Sequence, residues 1–198
     1  MGETRANIQE NNMERNYEKP ALVLIDMQKA LVQPGAAHCI AGAAATVPAI
    51  SKAADEARKA GIPVFWVRRQ YRKDGSDVEF TRYDSWLAGG KTMAPGSEGI
   101  NSEELAEGLE MKAGDYEIIK PRWSAFFQTE LDLILRRLGI KTLFLAGTTT
   151  PNCVRTTCYD SIALDYRTVI LSMCCSSATE EIQKANLLDM ANIGAEII

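Results

Sequence analysis

Apolar runs alternate with helical periods along this chain. "PALVLIDMQ" (20–28) is a short apolar run ending in a carboxylate and predicts a buried strand with Asp26 at its C-terminal end. "TVPAISKAADEARKAG" (46–61) carries apolar residues at helical spacing and closes on Gly61, a natural helix stop. "IPVFWVRR" (62–69) reads as a second strand, "YEIIKP" (116–121) as a third ending at Lys120, and "KTLFLAG" (141–147) as a fourth. Between the last two, "TELDLILRRLG" (129–139) predicts a helix with Leu131, Ile134, Leu135 and Leu138 on one face. Residues 153–166 predict the next helix, with Val154, Cys158, Ile162 and Tyr166 at i, i+4 spacing. "RTVILSM" (167–173) predicts a fifth strand. A helix over 179–194 follows, opened by Thr179 with Ile182 near the core, and "AEII" ends the chain as a short strand. Residues 70–101 are rich in Gly, Asp, Ser and charge, too long for a structureless connection. They predict a functional loop with a short helical piece near Tyr83 to Leu87.

Strands alternating with helices predict an α/β fold with a parallel sheet covered on both faces. Ligands in such sheets bind beyond the C-terminal ends of the strands, near the switch in strand order. Asp26, Lys120 and Cys153 all fall at or just past such ends, on three different strands.

Composition narrows the partners. The 198 residues fit one domain, expected over 19–198, and the polar segment 1–18 reads as a mobile N-terminal arm. A net charge of -4 argues against nucleic acid held by charge, and no apolar run approaches a membrane span. The odd cysteine count, five, without CxxC spacing points to a reducing, cytoplasmic setting. Cys158, Cys174 and Cys175 read as small buried hydrophobes, and the single histidine, His38, as a loop residue.

Cys153 is different, because a helix is predicted to begin there. A helix N-terminus and a nearby cation, supplied by Lys120, would both lower a thiol pKa. Asp26 would relay protons. The backbone N–H groups of Thr149 and Cys153 would hold an oxyanion if the 147–152 loop folds back. The Thr150–Pro151 bond is the least costly place for a cis peptide there.

The stretches "LVLIDMQ", "IIKPRWSAFFQTELDLILRRLGI" and "LFLAGTTTPNCV" occur in this order, and together they resemble the isochorismatase-like cysteine hydrolases from about residue 20 to the C-terminus. The resemblance implies the isochorismatase-like hydrolase fold, a three-layer α/β/α Rossmann-like sandwich with a mostly parallel central sheet, usually oligomeric, so a homo-oligomer (dimer or tetramer) is expected. It implies an Asp26–Lys120–Cys153 triad and a non-proline cis peptide at Thr148–Thr149, in preference to Thr150–Pro151. "KPRWSAFF" is most similar to ureidoacrylate and N-carbamoyl amide hydrolases. The expected activity is therefore hydrolysis of a linear amide or ureido C–N bond in a small molecule, through a thioester and with release of ammonia. The metal-binding members of the family use an Asp and two histidines; this chain has one histidine, so no metal and no cofactor are expected. Cys153 argues against the vinyl-ether-cleaving members, which lack the nucleophile. For an anionic substrate, Arg122 is the expected fork-shaped cation, with Trp123, Tyr83 and Gln28 as further contacts. Two other readings remain open at this point: a non-catalytic ligand-binding or scaffold protein of the same fold, and a thiol-based redox protein with a peroxide-sensitive Cys153.

Overall fold

The computed structural model describes residues 17–198. Most of the expected N-terminal arm lies outside these residues. The described chain opens on Tyr17, which is already part of the fold. Its ring meets Phe144 edge-on at 4.9 Å, and its hydroxyl donates to Glu196 at 2.8 Å.

Six strands form one sheet: β1 (Pro20–Ile25), β2 (Val64–Arg69), β3 (Tyr116–Lys120), β4 (Thr142–Thr148), β5 (Arg167–Ser176) and β6 (Glu196–Ile197). Their order is β3-β2-β1-β4-β5-β6, and every pairing is parallel. The helices are α1 (Lys29–Val32), α2 (Ala43–Lys59), α3 (Tyr83–Ala88), α4 (Leu131–Arg137), α5 (Arg155–Ala163) and α6 (Glu180–Asn192). This is a doubly wound sheet whose strand order reverses between β1 and β4.

Side-chain alternation along the strands builds the three layers. Ala21, Val23 and Ile25 point to one face, where they meet Leu131 and Leu135 of α4, Cys158 of α5 and Met190 of α6. Leu22 and Leu24 point to the other, against Ile50, Ala53, Ala54 and Ala57 of α2. The central strands are therefore apolar on both faces, and each fully buried Leu, Val or Phe contributes roughly 1.5–3 kcal/mol. Residues 70–101 fold around a small core of their own, in which Tyr71, Val78, Trp86, Met93 and Ala94 pack on Ala30.

Some boundaries differ from those predicted. Helix α2 starts at Ala43 rather than Thr46, because the three alanines ahead of Thr46 favour helix. Strand β5 runs on to Ser176 past a register shift opposite Leu145 and Gly147. The segment expected as one helix from Cys153 begins instead with a π-turn, Thr150–Val154, before α5. Thr179 does cap α6, accepting from the Ile182 N–H at 3.3 Å. Ile182 itself is exposed, not a core position, because Met190 carries the buried contact of that helix. Leu138 sits at the C-cap of α4 and is likewise exposed.

Candidate active site

The reversal between β1 and β4 opens a crevice at the strands' C-terminal ends. Asp26 follows β1 with a left-handed φ of 55°, a conformation that a short polar side chain tolerates, and its N–H donates to the Val67 carbonyl at 2.8 Å. At the end of β4, Gly147 adopts φ 122°. A side chain at Gly147 would sit on the Ile25 backbone, so only glycine lets β1 and β4 approach here. The Thr148–Thr149 peptide that follows is cis; Thr150–Pro151 is not.

The three threonines anchor this loop to the end of β5. Thr149 and Thr150 donate their hydroxyls to the Ser176 carbonyl at 3.2 and 3.0 Å, and the Ser176 hydroxyl donates to Thr148 at 2.9 Å. The π-turn then sends the Asn152 and Val154 N–H groups to the Thr149 carbonyl at 3.1 and 3.3 Å. Single π-turns of this kind recur at functional sites, and this one holds Cys153.

Lys120 spans the width of β2 to reach Asp26. Its Nζ lies 2.9 Å from Asp26 Oδ2, and both side chains are buried. The ammonium also donates to the Arg122 carbonyl at 2.8 Å. The other carboxylate oxygen, Asp26 Oδ1, is buried and accepts no conventional hydrogen bond among the described residues. The Cys153 thiol interacts with this carboxylate and is pushed up to about 11. Burial is the main cause and Asp26 the next, while Lys120 and Arg69 pull the other way. The sequence predicted a lowered thiol. The cause is physical: desolvation and the facing carboxylate outweigh the pull of the two cations.

A cavity of about 280 Å³ opens onto this group, lined by residues that include Asp26, Thr149, Asn152, Cys153, Trp123 and His38. Of the predicted contacts, Trp123 is a wall. The others are engaged elsewhere. Gln28 is fully buried and braces backbone, donating to the Arg69 and Glu103 carbonyls at 2.8 and 2.9 Å and accepting the Arg69 N–H at 2.7 Å. Arg122 is held by the Asp77 and Pro121 carbonyls, which ties the 70–101 segment to the end of β3. Tyr83 is partly exposed and leans on Trp86 at 6.0 Å, away from the cavity lining.

Two guanidinium groups not predicted as binders line the cavity instead, Arg69 and Arg82. Arg69 ends β2, so the strand-end rule that singled out Asp26 and Lys120 applied to it too. His38 is not a bystander either. It reaches the cavity from the loop after α1, and burial, then Arg82 and Arg69, hold it below the ordinary imidazole range. With one imidazole, and no three His, Cys, Asp or Glu side chains converging among the described residues, the donor set does not fit a metal.

The isochorismatase domain family matches residues 20–198. A protein of Arabidopsis thaliana named probable inactive nicotinamidase is 38% identical over 186 residues, covering 93% of this chain and 94% of the relative. The ureidoacrylate amidohydrolase RutB of Azorhizobium caulinodans is 32% identical over 190 residues, covering 87% of this chain and 83% of the relative. The crystal structure of an isochorismatase family protein from Desulfovibrio vulgaris superposes with a TM-score of 0.86 at 41% identity, covering 90% of this chain and 93% of that one. The match spans the sheet and all three elements that carry the crevice, and the chain belongs to the isochorismatase-like hydrolase family.

Proposed function

We propose that the protein is a cysteine-dependent amidohydrolase that cleaves a linear amide or ureido C–N bond of a small molecule and releases ammonia. The observation that carries this reading is the buried Lys120–Asp26 pair, with Asp26 and Cys153 together on the cavity wall. A RutB relative that hydrolyses a ureido acid supports it.

In this mechanism Cys153 starts neutral. As its sulfur attacks the carbonyl, Asp26 takes the thiol proton on the oxygen that has no other partner. Lys120 fixes Asp26 through the opposite oxygen and compensates its charge. The Thr149 and Cys153 amides stabilise the developing oxyanion. Asp26 returns the proton to the departing amine, ammonia leaves, and water hydrolyses the thioester. The Arg69 and Lys120 cations favour the thiolate-like transition state more than the resting thiol, which is how a neutral cysteine acts as nucleophile. A cytoplasmic setting accords with five free thiols.

A second reading is a ligand-binding protein without turnover. It is favoured by the relative whose name carries the word inactive and by the raised thiol. An ammonia-release assay over a panel of ureido acids and primary carboxamides separates the two. Turnover that disappears in Cys153→Ala supports hydrolysis; binding without ammonia from any of the panel supports the second reading.

A further inference from the structure

The cavity has a cationic end beyond the triad residues, made by Arg69 and Arg82. Arg69 is 3% exposed, has its guanidinium 5.3 Å from the centre of the Tyr71 ring and 5.7 Å from that of Trp123, and is ion-paired to Glu79. Glu79 is doubly engaged, because its second oxygen accepts the Tyr71 hydroxyl at 2.8 Å. Arg69 is thus clamped in place, and its Nε remains buried with no hydrogen-bond partner among the described residues. Arg82 arrives from the 70–101 segment, with its guanidinium 5.5 Å from the centre of the Trp123 ring. Arg82 and His38 also line a second, smaller cavity of about 180 Å³ with Tyr71 and Trp86, so they stand where the two spaces adjoin.

The charges do not cancel at this end. Among the described residues, the only carboxylate lining the 280 Å³ cavity is Asp26, and it is matched by Lys120. Glu79 offsets one arginine, which leaves one positive charge among Arg69 and Arg82 with no carboxylate on the cavity wall. Two guanidinium groups beside one aromatic ring, partly desolvated, suit a planar anion that accepts several N–H donors.

We propose that the substrate carries a carboxylate held by Arg69 and Arg82 beside Trp123, with its amide or ureido carbonyl at Cys153. The substrate class is thereby narrowed to short amide or ureido acids, since about 280 Å³ lies at the small end of ligand cavities. The position of the carbonyl rests on the hydrolase reading above. The carboxylate grip does not, and binding alone tests it.

The test uses Cys153→Ala protein, which cannot turn over, and matched pairs of ligands: succinamic acid against butanamide, and 3-ureidopropanoic acid against propylurea. Calorimetric titration is expected to show each acid binding roughly tenfold to a hundredfold more tightly than its neutral partner, the worth of charged hydrogen bonds. That preference is expected to fall to near unity when Arg82→Ala is added and to be partly kept in Arg82→Lys. Arg82 is the residue to change because burial of Arg69 makes its loss a folding risk. Equal affinity for acid and neutral partner, a preference that survives Arg82→Ala, or no binding of either acid at millimolar concentration each overturns the proposal. Acid-selective binding together with absent ammonia release in wild type would retain this grip and reject hydrolysis.

Discussion

Lys120 Nζ and Asp26 Oδ2 are 2.9 Å apart across the width of a strand, on buried side chains. A buried ion pair is stable only while both partners are present. Lys120→Met is therefore expected to lose about 3–5 kcal/mol of folding free energy, the cost of stranding a buried carboxylate. Urea denaturation of the variant measures it. Asp26→Asn/Lys120→Met together should recover much of that loss without recovering activity.

Asp26 should have opposite effects on thiol acidity and on turnover. It is the second-largest cause of the raised Cys153 titration and also the proposed proton acceptor. Asp26→Asn is expected to move the pH midpoint of Cys153 alkylation downward from about 11. Ammonia release should fall at least about a hundredfold, the usual worth of a general base. Alkylation rates against pH, read on the Cys153 peptide, check the first half.

Alkaline pH should destabilise the fold. Cys153 titrates near 11 when folded against 9.0 as its ordinary value, so between these the unfolded chain has lost a proton that the folded chain keeps. Stability then falls as pH rises from about 9, by roughly 2–3 kcal/mol for this thiol once pH passes 11. Cys158 and Cys174, pushed up by burial to about 12, add to the same slope. Thermal melts from pH 8 to 10.5 should show a steady decline that Cys153→Ala makes shallower.

Much of this site was legible because strand ends are marked in sequence. The apolar runs before Asp26, Lys120 and Cys153 fix where each strand stops, and a parallel sheet brings such ends together. The other side chains that line the cavity were less legible. Arg122 follows Lys120 by two residues, but the chain bends after β3 and its guanidinium meets backbone carbonyls. Arg82 and His38 belong to loops whose paths depend on tertiary packing around Trp86 and Tyr71, which no local period encodes. The thiol's acidity was misjudged for a related reason: sequence shows nearby charges but not the depth of burial that outweighs them.

Gly147→Ala tests the closeness of β1 and β4. The added methyl would overlap the Ile25 backbone, which cannot swing aside as a side chain would, and the φ of 122° is strained for alanine. A loss of more than about 4 kcal/mol, or failure to fold, is expected, against a typical substitution near 1 kcal/mol. Soluble expression and a thermal melt are sufficient readouts.

The central claim is that Cys153 becomes covalently acylated by its substrate. Intact-protein mass spectrometry of acid-quenched wild type, mixed with short amide and ureido acids, measures it directly. The account predicts a mass increase equal to the substrate acyl group without its ammonia, mapped to the Cys153 peptide and absent in Cys153→Ala. Ammonia release with no such adduct, persisting at wild-type rate in Cys153→Ala, would contradict it.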